Sequence, residues 1–154
     1  MAPRRPARRP ASDPALLDAL VQLSFCVHDL LARVAARHDV SVTQMRLSGI
    51  LRDREPAMSD LRAHLALEKS SVSGLIDRAE RRGLVTRTTG HADGRAVHVR
   101  LTSQGAELAT RFAGEVYAEL EALLATLPDR DQRQLAELAG AILAAQGSPF
   151  AQQP

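Results

Sequence analysis

Apolar residues recur at helical spacing over most of this chain. From Ala15 to His38, Leu16, Leu20, Leu23, Val27, Leu30, Leu31 and Val34 form one stripe, which Leu17 and Val21 widen. This is the periodicity of an amphipathic helix, and a stripe so wide suits more than one neighbour. A second helix is predicted over Val40 to Arg54 through Met45, Leu47, Ile50 and Leu51, with Ser41 or Thr43 as its N-cap. Pro56 closes that region, and Ser59 is placed to cap a third helix whose Leu61 and Leu65 face inward. In the next helix Val72, Leu75, Ile76 and Ala79 share one face. Ser70, Ser73, Gly74, Asp77, Arg78 and Arg81 take the other, which is short, polar and partly basic. Glu68 holds its cap position, where its charge rather than its geometry suits a helix N-terminus. Gly83 follows the last periodic residue and fits a left-handed helix end, with Leu84 folding back as its apolar partner.

The period then changes. Val85 to Thr89 is mostly β-branched and reads as a strand. Gly90 to Gly94 is a loop with an Asp93-Gly94 turn signal. Val97, Val99 and Leu101 alternate with Ala96, His98 and Arg100, as in a half-buried strand. Helical spacing returns after Thr102, which caps a fifth helix reaching about Leu127 through Leu108, Phe112, Val116, Leu120, Leu123 and Leu124. Pro128 breaks it, and Asp129 to Gln146 is a sixth helix through Leu135, Leu138, Ile142 and Leu143. The predicted fold is mainly α with a small two-stranded β wing, a winged helix-turn-helix plus a helical dimerisation region. Residues 1–14 are a disordered basic tail, 15–38 a dimerisation helix, 39–101 the winged helix-turn-helix, 102–147 C-terminal dimerisation helices, and 148–154 a tail. A winged helix needs no helix as long as the fifth to close its core. The expected use of the long helices is an interface between two copies, through Leu16, Leu20, Leu23, Leu120, Leu124, Leu138 and Ile142. A monomeric bundle that buries the same stripes internally is the alternative.

Composition narrows this picture. With 154 residues and no Trp, one domain is expected, with a core of Leu, Val, Ile and Ala. No apolar run approaches the roughly 20 residues of a membrane span. The N-terminus is basic but has no apolar h-region, so a cytoplasmic protein without membrane contact is expected. One cysteine excludes an internal disulfide framework. The net charge of +2 says little, but its distribution says more. Residues 41–100 carry eleven basic and seven acidic groups, whereas residues 101–154 carry three and seven. The positive charge therefore falls on the short helices and wing.

Candidate chemistry is sparse. The chain has no phosphate-binding glycine loop, nucleophile elbow or HExxH motif, and no catalytic residue, cofactor or metal is expected. His28, His38, His64, His91 and His98 are scattered, and His38-Asp39 is a neighbour pair at a helix end. Cys26 reads as a small buried core thiol, and His28 as a packed or pocket-edge residue. Both are candidates for the wall of a ligand pocket.

From Ala57 to Leu101 the chain resembles the MarR family of bacterial transcriptional regulators. The matching pieces are Ser71-Val72-Ser73 through Leu75-Ile76-Asp77-Arg78, the exit Gly83-Leu84-Val85, and Arg87. The wing tip Asp93-Gly94-Arg95 and the segment Leu101-Thr102-Ser103-Gln104-Gly105 complete them, and a looser likeness spans residues 15 to 146. The resemblance implies a homodimer on double-stranded DNA with a near-palindromic operator, answering to a small apolar or phenolic ligand. Ser70, Ser71, Ser73, Gly74 and Arg78 would face the major groove, and Lys69 would meet phosphate. Arg95 would enter the minor groove at Gly94, with Asp93 orienting its guanidinium. Two rivals stay open: a thiol redox switch at Cys26, and a winged-helix interaction module without operator binding. In family members that sense hydroperoxides a cysteine follows a Gln-Leu pair, and here that place is Ser24.

Overall fold

A computed structural model describes residues 13–89 and 96–146 of the chain. Six helices and one antiparallel hairpin follow in the order α1 Pro14–Arg37, α2 Val42–Leu51, α3 Met58–Leu65, α4 Lys69–Arg81, β1 Val85–Thr89, β2 Val97–Leu101, α5 Ser103–Leu124 and α6 Asp129–Ala145. The predicted mainly-α fold with a two-stranded wing is the one observed.

Local chemistry accounts for most boundaries. Asp13 caps α1 by accepting from the Ala15 amide, and Pro14 fills the first helical position, where no amide is needed. Ser41, not Thr43, caps α2 in a reciprocal box with Gln44. Thr102 caps α5 through the Gly105 amide. The exit from α4 is a Schellman turn: Gly83 has φ +69°, its amide donates to Glu80, and that of Leu84 donates to Ala79. Ser59 does not cap α3 as expected. Ala57 holds that position without a side-chain bond, and Ser59 Oγ donates to Asp60 instead. The strand-like pairing of Ala57 with His98, with the Val99 amide donating to Pro56, pulls the segment onto β2 and starts the helix two residues earlier.

One core gathers these elements. The C-terminal half of α1 supplies Leu30 and Val34, α2 supplies Leu47, Ile50 and Leu51, and α3 supplies Leu61 and Leu65. The four predicted inward residues of α4 are buried, with Leu84, Val85, Val99, Leu108 and Phe112 closing the far side. Nothing on α1 before Leu30 is buried, and nothing on α6 is. Leu16, Leu20, Leu23, Leu138 and Ile142 are exposed, as is Phe25, which the predicted stripe leaves out. Leu120 and Leu124 are half-buried, with Leu120 packed against the chain's own core.

The expectation that no span is long and apolar enough to cross a membrane needs correcting. By length and composition α1 passes that test, because the helix tolerates Asp18 and Asp29 without losing its apolar average.

Candidate nucleic-acid interface

The buried face of α4 fixes what its other face can do. With Val72, Leu75, Ile76 and Ala79 packed inward, Lys69, Ser70, Ser71 and Arg78 are exposed, and Ser73 and Gly74 are half-exposed between them. No bulky apolar side chain covers that surface. A Cβ added at Gly74 would meet only the Arg78 guanidinium, at 3.4 Å, so the glycine leaves room for Arg78 to lie back along the helix. Asp77 shares the sequence stretch but turns to the wing. With Glu80 it pairs with Arg87 of β1, which ties α4 to the hairpin. The hydrogen bond to Asp77, with the charge of Glu80 beside it, holds the Arg87 guanidinium more firmly protonated than usual, against partial burial. Arg87 is thus a brace. The sequence marked it only as part of a motif, and its partners lie 7 and 10 residues away.

A cleft of about 250 Å³ runs between the first turns of α3 and α4, lined by Met58, Ser59, Arg62, Lys69, Val72 and Ser73. Neither helix has a side-chain cap bond at its N-terminus. Two cations, Arg62 and Lys69, and two hydroxyls, Ser59 and Ser73, therefore border one concavity beside the starts of two helices, which suits an anion. Arg62 was not marked by sequence reasoning, and Ser59 was marked only as a helix cap. Nothing in the sequence set α3 beside α4 so that both border one cleft. Asp93, Gly94 and Arg95, the predicted wing tip, lie outside the described residues.

The segment after β2 locks this surface to the long helices. Thr102 Oγ1 donates to the Gly83 carbonyl at 2.6 Å while accepting from the Gly105 amide at 3.0 Å. Gly105 packs so closely that a Cβ there would sit 1.9 Å from the Leu84 carbonyl oxygen. The exit of α4 and the start of α5 thus share one staple. On the other side α1 and α5 are joined by Arg33 and Arg37 with Glu119, and by Arg37 and His38 with Glu115. The hydrogen bond from His38 holds the Glu115 carboxyl below its ordinary range, and that from Arg37 does the same for Glu119.

A second concavity, of about 230 Å³, lies behind the interface between α1, α2 and α5. Its walls are chiefly apolar, with Met45, Phe112 and Val116 among them, and its polar groups are Arg46, Arg52 and Tyr117. The Arg52 guanidinium is held more firmly charged than usual, first by its hydrogen bond to Tyr117. Cys26 and His28 do not line this cavity. Both are exposed near the middle of α1, before Leu30, so the expectation of a buried core thiol fails in the single chain. The reason is that α1 turns its stripe inward only from Leu30 onward. Among the described residues no cluster of three or more His, Cys, Asp or Glu could hold a metal.

Comparison with known proteins agrees with this geometry. The MarR family model matches residues 38–96. The homoprotocatechuate degradative operon repressor of Escherichia coli is 29% identical over 113 residues, covering 70% of this chain and 76% of the repressor. Wild-type apo MarR from E. coli superposes with a TM-score of 0.72 at 21% identity, over 86% of this chain and 98% of MarR. NadR in complex with 4-hydroxyphenylacetate superposes with a TM-score of 0.71 at 21% identity, over 90% of this chain and 97% of NadR.

Proposed function

We propose that this chain is a transcriptional regulator of the MarR family, a ligand-responsive repressor acting as a homodimer on a near-palindromic operator. The observation that carries the DNA reading is the outward face of α4, where small and basic side chains stand clear over a fully packed inner face. Ser70, Ser71, Ser73, Gly74 and Arg78 would enter the major groove, where base edges carry distinguishable donors and acceptors. Lys69 and Arg62, at the cleft between α3 and α4, would hold a backbone phosphate against the two helix N-termini. Asp93 and Arg95 would act at the minor groove.

A second copy would cover the exposed stripes of α1 and α6. Large apolar side chains exposed in a row along a helix are rarely left bare on a monomer. A bilayer is the poorer occupant. The part of α1 before Leu30 spans 16 residues, or roughly 24 Å at 1.5 Å per residue. That is short of the roughly 30 Å hydrocarbon core. The remainder of α1 is committed to the core and to Glu115 and Glu119. We therefore assign the chain to the cytoplasm.

The ligand would sit between α1, α2 and α5. Apolar walls with Arg46, Arg52 and Tyr117 suit an aromatic ring carrying a carboxylate and a hydroxyl. The names of two relatives point the same way: one is a repressor of homoprotocatechuate degradation, and the other was solved with 4-hydroxyphenylacetate. The test is selection of duplexes from random DNA, followed by titration with and without 4-hydroxyphenylacetate and related phenolic acids. A repeated half-site about one helical turn (roughly 10 bp) apart is expected. Arg78→Ala should cost ~1–3 kcal/mol at one base position if it reads a base, and fall evenly over all sequences if it meets phosphate. Failure to enrich any duplex would favour the interaction-module reading. A peroxide response that disappears in Cys26→Ser would favour the thiol switch.

A further inference from the structure

Arg82 stands at the C-cap of α4, and its side chain reaches the corner between α1 and α2. One Nη donates to the carbonyl of Asp39 at 2.6 Å, and the other to the carbonyl of His38 at 3.4 Å. Both acceptors belong to the corner between α1 and α2. There α1 ends in a second Schellman turn, with the Asp39 amide donating to Ala36 and the Val40 amide to Ala35. Asp39 occupies the left-handed position at φ +53°, a place usually left to glycine. Carbonyls leaving a helix end carry the negative pole of its dipole, and a guanidinium fork is suited to taking two at once.

The same corner is fastened to α5 from the opposite side. His38 Nε2 lies 2.7 Å from Glu115 Oε1, and the His38 ring meets Phe112 edge-on at 5.0 Å. Arg37, one residue earlier, pairs with Glu115 and Glu119. The α1–α2 corner is therefore held by the long helices, and Arg82 hangs the end of α4 on it. Elsewhere α4 packs mainly on α3 and β1, and the Thr102 staple joins its exit to the start of α5, so Arg82 adds a tie on the α1–α2 side.

We propose that Arg82 is a positioning residue that fixes the angle of α4 against α1 and α5, and so sets the half-site spacing the dimer accepts. The second clause rests on the DNA-binding reading above; the first does not. Small changes in that angle would be amplified at the two reading heads, because each sits at the end of a long helix.

The test uses the full chain. Spin labels on the native Cys26, which is exposed, and on Ser71→Cys, diluted with unlabelled chains, report the α1–α4 distance within one protomer. With Arg82 present the distribution should be narrow; in Arg82→Ala it should broaden. In parallel, unlabelled protein is titrated with the tightest duplex selected from random DNA, and with versions carrying one base pair more or fewer between half-sites. The native chain should lose affinity sharply at either altered spacing. Arg82→Ala should bind the selected duplex about tenfold more weakly, the scale of a lost charged hydrogen bond, and bind all spacings alike. An unchanged distance distribution overturns the proposal whatever happens to DNA affinity. A broadened distribution with the spacing preference intact overturns the claim that this angle sets spacing. If the native chain selects no duplex, the regulator reading fails while the distances still decide the positioning role. If Arg82→Ala loses its helical circular dichroism, Arg82→Gln carries the same comparison with the same outcomes.

Discussion

The reading head and the helical ends are made of the same few apolar residue types and finish in opposite states. In the head, Leu47, Leu61, Val72 and Ile76 are at most 1% exposed, and their stripes close on one another. At the ends, Leu16, Leu138 and Ile142 are more than half exposed, on helices as regular as those of the head. Amphipathicity alone therefore does not say where a stripe is satisfied. The head is complete within one chain, and the ends leave their stripes uncovered within it. The α1 helix shows both cases along its length, bare before Leu30 and packed after it.

The comparison can be broken most sharply in the core. Leu47→Ala should destabilise the chain by ~2–5 kcal/mol, since a fully packed site leaves a cavity. Leu16→Ala should leave the stability of the isolated head within about 0.5 kcal/mol. Urea midpoints of the two variants, read at a concentration where the chain is monomeric, decide this. A comparable loss in both would mean that the ends are part of the folding core.

Next in size is the joint between the regions. Gly105→Ala forces a Cβ onto the Leu84 carbonyl, and should cost ~1–3 kcal/mol with a loss of the Thr102 staple. A thermal melt unchanged from the native one would show that α5 is not seated as described. Two glycine exchanges should act in the opposite direction. Ala66 ends α3 at φ +53°, a left-handed residue that costs ~1–2 kcal/mol without glycine's freedom, so Ala66→Gly should stabilise the helix-turn-helix. Gly74→Ala should add ~1 kcal/mol of stability, while weakening DNA binding if the bare backbone is needed for close approach. Higher stability with unchanged DNA affinity would make Gly74 an ordinary exposed glycine.

The smallest effect concerns acid. The hydrogen bonds to His38 and to Arg37 hold the Glu115 and Glu119 carboxyls, respectively, below the ordinary carboxylate range. A carboxylate with a lowered folded-state pKa contributes stability above its unfolded value, and loses it as pH falls through the folded value. The α1–α5 pairing should therefore weaken only in the acid limb, and modestly, because these ion pairs are partly exposed. Glu115→Gln with Glu119→Gln should flatten that limb in urea titrations at successive pH values. A stability profile identical to that of the native chain would remove these α1–α5 ion pairs from the energetics.

What the sequence made legible was local. The inward face of α4, the left-handed Gly83 and the Thr102 cap each follow from spacing or from one residue's conformational preference. What it hid depended on distant partners. Ser59 looked like a cap until Ala57 was drawn onto His98. Arg33 and Arg37 meet carboxylates 78 to 86 residues away. Cys26 looked like a core thiol because its helix is apolar, and nothing nearby in sequence marks Leu30 as the point where burial begins. In the candidate site, the α4 residues were foreseen but Arg62 and the Arg87 brace were not, since both act through elements the chain brings together only on folding.

The claim that the bare ends exist to pair two reading heads is tested most directly by charging one of them. Leu138→Glu with Ile142→Glu places two carboxylates on exposed α6 positions that make no intrachain core contact. Sedimentation of the native and altered chains with the selected duplex reads the number of chains bound. Two native chains per duplex are expected. The altered protein should sediment as one folded chain and bind about 100-fold more weakly, the scale lost when two linked sites are uncoupled. A native complex with one chain per duplex, or an altered protein that stays dimeric with full affinity, would contradict the account.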